Sequence, residues 1–130
     1  MKRLLIADDK AGGRELVRAV FERSGYAVFE AADGLEALRA AREVRPDLIV
    51  LDLNMPGMDG FGVIQELRRD AEFATTPALA LTASAMQGER ERAMAAGFTG
   101  YISKPIGPRE LRAEVERLLR SQKDQPNNLS

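Results

Sequence analysis

The stretch Asp47-Leu48-Ile49-Val50-Leu51-Asp52 is the clearest indication of the fold of this chain. Its four consecutive large aliphatic residues, two of them β-branched, predict a strand that is buried on both faces of a sheet. The next segment, Leu53-Asn54-Met55-Pro56-Gly57, carries turn signals and ends the strand. A carboxylate enters such a core only at a cost of several kcal/mol, so Asp52 must lie at the rim of the sheet. Ligands bind at the carboxyl ends of strands in open α/β sheets, and we therefore expect Asp52 to face solvent, an ion or a ligand.

Composition narrows the classes of function that need consideration. The chain has 130 residues, enough for one domain with a proper core, and its 19 basic and 20 acidic residues nearly cancel. This balance predicts no bulk electrostatic binding to nucleic acid or to a membrane surface. Cysteine and histidine are absent, which excludes thiolate chemistry, the commonest zinc ligands and a phosphohistidine carried by this chain. The first apolar stretch is too short for a signal peptide or a membrane span, so a cytoplasmic location is expected.

Apolar segments typical of strands alternate with segments of helical periodicity, five of each. This alternation predicts a doubly wound α/β fold with a parallel sheet, right-handed crossovers and helices on both faces. The predicted strands are residues 4–7, 27–29, 48–51, 78–81 and 100–103. The predicted helices are residues 13–24, a segment between Asp33 and Pro46, a segment containing Phe61, Ile64 and Leu67, residues 86–96, and a segment that starts at Pro108. The polar residues 121–130 are predicted to form a flexible tail after a domain of residues 1–120.

Several details of the helices are also predicted from local signals. Asp33 with Glu36 three residues later has the pattern of a capping box, and Gly25 suits the position just after the first helix. Gly88 is expected inside the fourth helix, which it would weaken by up to about 1 kcal/mol. The apolar residues assigned to the buried faces of the first two helices are Leu16, Val17, Val20, Phe21, Leu35 and Leu38.

Polar and charged side chains follow the strands at one edge of the predicted sheet. Asp8 and Asp9 follow the first strand, Asp52 ends the third, Thr82 ends the fourth, and Lys104 follows the fifth. Like-charged carboxylates about 5 Å apart repel by roughly 3 kcal/mol per pair at an effective dielectric constant of about 20. A lysine and a small hard cation such as Mg²⁺ would offset that repulsion. The set suits phosphoryl chemistry, in which one carboxylate can act as nucleophile and form an aspartyl phosphate.

These pieces, taken in order, resemble the receiver domain of two-component response regulators, of the CheY-like kind. The matching segments are Asp8-Asp9, residues 52–60, Leu81-Thr82-Ala83 and residues 101–105, and the likeness covers residues 2–120. The family implies a flavodoxin-like fold with five parallel strands in the order 2-1-3-4-5 and five helices. The resemblance favours a stand-alone, single-domain response regulator.

The resemblance also implies a role for each matching residue. Asp52 is expected to be the phosphoacceptor, and Lys104 to bind the phosphoryl oxygens with a cis peptide bond to Pro105. Thr82 is expected to donate to the phosphoryl group, and Tyr101 to turn inward as the coupled switch residue. Mg²⁺ is expected to be held by the side chains of Asp9 and Asp52 and by the backbone carbonyl of Asn54, with Asp8 acting mainly through bound water.

The expected partners follow from the same resemblance. A sensor histidine kinase or a histidine phosphotransfer protein would supply the phosphoryl group, and a downstream protein would read the surface of residues 86–96 and 101–119. Neither nucleic acid nor a membrane is an expected partner, and the chain is expected to be a monomer or a weak dimer. The effects of Lys10 and of Gly12 and Gly13, which depart from the usual family pattern, are left open.

Other functions remain as alternatives. A phosphatase with an aspartyl phosphate intermediate usually has a second aspartate two residues after the nucleophile, where this chain has Asn54. A flavin-binding module of the same fold would need a phosphate-binding loop after the first strand, and Asp8 and Asp9 would repel phosphate there. A scaffold that binds partners without phosphorylation is the remaining alternative.

Overall fold

The computed structural model describes the backbone of residues 1–124 and the side chains of residues 1–121. Five parallel strands form one sheet in the order 2-1-3-4-5, with five α-helices around it, as predicted. The strands are β1 (Arg3–Ala7), β2 (Ala27–Ala31), β3 (Leu48–Asp52), β4 (Ala78–Thr82) and β5 (Gly100–Ser103). The helices are α1 (Ala11–Arg23), α2 (Gly34–Val44), α3 (Gly60–Arg69), α4 (Glu89–Ala96) and α5 (Pro108–Asp124), with a short 3₁₀ helix at Ala71–Phe73.

Side chains alternate along the strands and build one core on each face of the sheet. Leu4, Ile6 and Val50 face a cluster that includes Phe21 of α1 and Val115 of α5. Leu5, Ile49 and Leu51 face the opposite cluster, to which α2, α3 and α4 contribute. Every residue of β3 is buried, which confirms the two-sided burial expected of the opening stretch.

Two helices bury a different stripe of side chains from the predicted one. In α1, Val17 and Phe21 are buried but Leu16 is 41% exposed, so its prediction as a core residue is wrong. In α2 the stripe is Gly34, Ala37, Leu38 and Ala41, and Leu35 is 62% exposed, which corrects its assignment to the core. Both leucines lie about 100° around the helix from a buried neighbour, so the apolar pattern was extended one residue too far.

The bounds of α1, β2 and α4 differ from the predictions by two residues or more. α1 begins at Ala11 rather than residue 13, and β2 continues to Ala31 rather than residue 29. α4 begins at Glu89 rather than residue 86, because Gly88 has a φ of +82° and serves as N-cap before the helix. The expected weakening of the helix interior by Gly88 is therefore wrong.

Other local signals agree with the structure. The Asp33 side chain caps α2 by accepting from the Glu36 N–H, while Glu36 accepts from the Ala32 N–H. Gly25 follows α1 with a φ of +89°, the conformation that favours glycine there.

α5 begins at Pro108 and continues to Asp124, so residues 121–124 of the predicted tail are helical, and residues 125–130 lie outside the described residues.

Candidate functional site

Three carboxylates meet at the carboxyl edge of the sheet. The register pairs Ala7 of β1 with Leu51 of β3, so Asp8 follows its strand at the level where Asp52 ends β3. Asp8 and Asp52 are buried, with 1% and 3% exposure, and Asp9 is exposed. One carboxylate oxygen from each of these three residues lies within 4.8 Å of the others. The strand ends thus gather an acidic cluster that sequence alone could only expect.

Lys104 lies directly against this cluster. Its Nζ atom is 3.1 Å from Oδ2 of Asp8 and 3.4 Å from Oδ2 of Asp52. Its backbone N–H donates to the Thr82 carbonyl at 2.7 Å, which aligns residue 104 with the end of β4. The peptide bond from Lys104 to Pro105, which the resemblance implies to be cis, is cis.

The electrostatics of the cluster follow from burial and close charges. Burial raises the pKa of Asp52, and the adjacent Asp8 carboxylate acts in the same direction, against the Asn54 N–H and Lys104. Burial alone would lower the pKa of Lys104, but the bond to Asp8 and the charges of both aspartates outweigh it, so that pKa is raised. Lys104 is therefore held as an ammonium ion beside a carboxylate that the fold leaves short of positive charge.

The start of α1 fixes the Asp8 side chain. Oδ1 of Asp8 accepts from the Lys10 N–H at 2.9 Å, and its backbone carbonyl accepts from Arg14 at 2.6 Å. Gly13 matters here because a Cβ atom at that position would lie 2.3 Å from Oδ2 of Asp8, whereas one at Gly12 would meet nothing within 4 Å. Gly13 gives the carboxylate its space, a role that its sequence alone did not reveal. The Lys10 ammonium is exposed and lies 3.9 Å from Asp9.

Of the three further predicted site residues, Asn54, Thr82 and Tyr101, only Asn54 bonds to the cluster. The Asn54 N–H donates to Oδ1 of Asp52 at 2.9 Å, which fixes the turn after β3 beside the carboxylate. Thr82 is fully buried, and within the described part of the chain its hydroxyl accepts from Ser84 rather than bonding to the carboxylates. Tyr101 is half-buried and packs against the core on the α4 side, where its hydroxyl donates to Glu89 at 2.7 Å. The structure therefore brings Asp8, Asp9, Asp52 and Lys104 together and leaves Tyr101 outside that group.

Sequence reasoning missed Glu89. It is a buried glutamate at the first position of α4, with 6% exposure, in a segment that reads as an exposed charged helix. Periodicity gave no signal for it, because its partner Tyr101 is on a different element.

The donor set fits a small hard cation. The clustered ligand atoms are all carboxylate oxygens, which is the ligand type that Mg²⁺ prefers, and they lie close enough together to share one ion. Asp8 and Asp52 also share one ammonium group, so a cation would relieve a net negative charge at the edge of the sheet.

Comparison with known proteins identifies the family. The model of the response regulator receiver domain matches residues 4–116. This chain belongs to the response regulator receiver domain family. Receiver domains are signalling modules of two-component systems rather than enzymes in the ordinary sense, they interact with histidine kinases or phosphotransfer proteins, and they bind Mg²⁺ at a cluster of aspartates.

Individual relatives agree with this identification. The receiver domain is 43% identical over 105 residues to the polar-differentiation response regulator DivK of Brucella anthropi, covering 81% of this chain and 85% of that protein. The chemotaxis protein CheY4 of Vibrio cholerae superposes with a TM-score of 0.86 at 36% identity, over 91% of this chain and 98% of that one. The receiver domain of the sensor histidine kinase PA1611 of Pseudomonas aeruginosa, solved with a magnesium ion in its active-site cleft, gives a TM-score of 0.85 at 33% identity, over 92% and 98%.

Length differs among the relatives. This chain spans about half the length of several transcriptional regulators that it matches, between 46% and 50% of each. In residues 1–124, no helix combines the length and the apolar character needed to cross a bilayer.

Proposed function

We propose that this receiver domain accepts a phosphoryl group on Asp52 from the phosphohistidine of a partner protein. The observation that carries the proposal is the single cluster of Asp52, two further carboxylates and the Lys104 ammonium. An oxygen of Asp52 forms a bond to phosphorus while the phosphorus–nitrogen bond of the partner breaks. A protonated phosphohistidine leaves as neutral imidazole, so the step consumes no further reactant.

The chain's own residues have separable parts in this step. The Asn54 N–H holds one oxygen of Asp52, which leaves the other, beside Lys104, to face the incoming phosphorus. Lys104 supplies positive charge to the phosphoryl oxygens, and Thr82, at the end of the adjacent strand, supplies a hydroxyl donor. Asp8, Asp9 and Asp52 with the Asn54 carbonyl would hold Mg²⁺, which when bound supplies further positive charge to the transferring group.

The consequence of phosphorylation is a change of surface rather than turnover of a metabolite. The added charge and acceptor oxygens stabilise a conformation in which Thr82 and its loop lie close to Asp52. Tyr101 is the residue that we propose follows this movement, so that α4, β5 and α5 present a different face to a downstream protein. The chain itself catalyses only its own phosphorylation and dephosphorylation. We propose that it acts in the cytoplasm as a monomer or weak dimer, and that it contacts neither nucleic acid nor membrane.

Acetyl phosphate tests the proposal without a partner protein. Incubation with acetyl phosphate and magnesium is expected to add one phosphoryl group to the wild-type chain, detected by intact mass, and none to Asp52→Asn. Chelation of magnesium should abolish the adduct. Equal labelling of both proteins, or none of the wild type, would overturn the assignment of Asp52 and favour a scaffold that works without phosphorylation.

A further inference from the structure

Glu89 stands out among the buried residues of this domain. Within the described part of the chain, the buried polar or charged residues are Asp8, Asp52, Thr82 and Glu89. The first three belong to the site at the carboxyl edge, and Glu89 does not. A buried carboxylate is costly unless it is hydrogen-bonded, so its partner is the key to its role.

That partner is Tyr101. The Tyr101 hydroxyl donates to Oε1 of Glu89 at 2.7 Å, and Arg90 lies over the same ring, 5.9 Å from its centroid. Burial and the bond to Glu89 raise the pKa of Tyr101 to about 12. The first two residues of α4 therefore hold one tyrosine ring of β5 by its hydroxyl and by its face.

This contact is a large part of what attaches α4 to the domain. Only Glu89 and Ala93 of α4 are buried, and the N-cap Gly88 provides no side-chain hydrogen bond. A helix with so few buried side chains relies on each of its remaining contacts for its position.

An exposed loop connects Thr82 to Glu89. Thr82 is fully buried at the edge of the site, and residues 83–88 are all exposed. Glu89 is thus the first buried side chain along the chain after Thr82. Six residues of loop connect the two anchors.

We propose that Glu89 is a positioning residue that ties the Tyr101 hydroxyl to the first turn of α4. The ring and the helix then rearrange together when Asp52 carries a phosphoryl group. This inference rests on the proposed function of Asp52 and extends it, because it names the contact through which the site reaches the outer surface.

Tyrosine fluorescence can observe the contact directly. The chain has two tyrosines and no tryptophan, so Tyr26→Phe leaves Tyr101 as its single emitting group. A carboxylate that accepts from a tyrosine hydroxyl quenches its emission and raises its pKa. We expect Glu89→Ala in this background to brighten Tyr101 and to return its pKa, followed by absorbance, toward the ordinary value. The matched control is Glu91→Ala, which removes an exposed carboxylate from the same turn and should change neither property.

The decisive measurement adds beryllium chloride and sodium fluoride in the presence of magnesium. The beryllium fluoride complex that forms mimics a phosphoryl group, and its binding is followed separately by fluorine NMR. In the parent and in Glu91→Ala, binding should change the Tyr101 emission. In Glu89→Ala, binding should persist and the emission change should be lost, while Glu89→Gln, which keeps an acceptor oxygen, should retain it.

Three results would overturn the proposal. Binding with an unchanged Tyr101 response in Glu89→Ala rejects the role of Glu89 and leaves the function of Asp52 intact. Absence of binding in the parent itself rejects the proposed function, and the inference falls with it. If Glu89→Ala does not fold, Glu89→Gln is used in its place. A Tyr101 pKa equal to that of the parent would then show that the Glu89 charge does not reach the ring, which would reject the contact.

Discussion

Asp52 is placed by one strand and shaped by its neighbours. The buried β3 carries it to the edge of the sheet, the Asn54 N–H fixes one of its oxygens, and Lys104 lies at 3.4 Å from the other. Burial raises its pKa, which means that the fold leaves part of its charge uncompensated. At the scale of the residue, this uncompensated negative charge is what fits the site to a small divalent cation.

Gly13 provides a test at this scale. In Gly13→Ala the new Cβ would collide with Oδ2 of Asp8, so the carboxylate must move and magnesium affinity should fall by about tenfold or more. Gly12→Ala is the matched control, because its Cβ meets nothing and alanine improves the helix by up to about 1 kcal/mol. Titration calorimetry with MgCl₂ measures the affinity. Equal affinities in the two variants would show that Gly13 does not position Asp8.

At the scale of elements, side-chain hydrogen bonds anchor both ends of α4. Glu89 holds its first turn to β5, and Arg68 of α3 holds the carbonyl that follows its last turn. Arg68 donates to the Gly97 carbonyl through Nε and Nη2 and to the Phe73 carbonyl through Nη1. One guanidinium thus connects α3, the 3₁₀ helix and the end of α4.

We expect Arg68→Met to lower the free energy of unfolding by about 2 kcal/mol, because three hydrogen bonds to a charged group are lost while the stem is kept. Arg69→Met is the control, since Arg69 is exposed and pairs only with Glu66 of its own helix, among the described residues, at a value below about 1 kcal/mol. Urea denaturation measures both. Equal destabilisation would mean that the Arg68 contacts contribute no more than a surface ion pair.

The elements also show where sequence reasoning succeeds and where it stops. The five strands and their order were predictable because buried parallel strands have continuous apolar runs and few topologies place five of them in one wound sheet. The exposure of Leu16 and Leu35 was not, because an adjacent buried residue satisfies the same periodicity. The start of α4 was hidden because its first turns contain charged residues and alanine rather than an apolar stripe.

Part of the candidate site could likewise be predicted from the sequence, and part could not. Asp8, Asp9, Asp52 and Lys104 were predictable because parallel strands place their carboxyl ends at one edge. Gly13 and Glu89 were not, because their roles depend on contacts between elements that no local pattern encodes: the space that Gly13 leaves for the Asp8 carboxylate and the 2.7 Å hydrogen bond from Tyr101 to Glu89.

At the scale of the whole molecule, α1 and β2 are joined by a cluster that should make stability depend on pH. Glu30 accepts from Arg18 and from Arg14, and these bonds lower its pKa. The stability that such a carboxylate contributes is present above its ordinary pKa and is lost as pH falls through the lowered one. Glu30→Gln should therefore cost about 1 kcal/mol at neutral pH, with the difference shrinking in acid.

Urea denaturation at a series of pH values measures this dependence. Glu22→Gln is the control, because Glu22 bonds to Arg18 at the exposed surface. A constant difference between Glu30→Gln and wild type from neutral to acid pH would contradict the assignment.

The raised pKa of Asp52 makes stability depend on pH in the direction opposite to that of Glu30. Because its pKa is raised in the folded chain, its contribution to stability is present below the ordinary pKa and is lost as pH rises through the raised one. Asp52→Asn should therefore be more stable than wild type at neutral pH without magnesium, and added magnesium should raise the thermal midpoint of wild type more than that of the variant. Calorimetric scans test both parts, and a less stable Asp52→Asn in chelator would contradict the raised pKa.

Asp52 has two close carboxylate neighbours, Asp8 and Asp9, and we propose that Asp52 alone receives the phosphoryl group. The most direct measurement phosphorylates the wild-type chain with acetyl phosphate and magnesium, reduces it with borohydride, and locates the product by peptide mass spectrometry. Reduction converts an aspartyl phosphate to homoserine, so we expect homoserine at position 52 alone. Homoserine at position 8 or 9, or at no position, would contradict it.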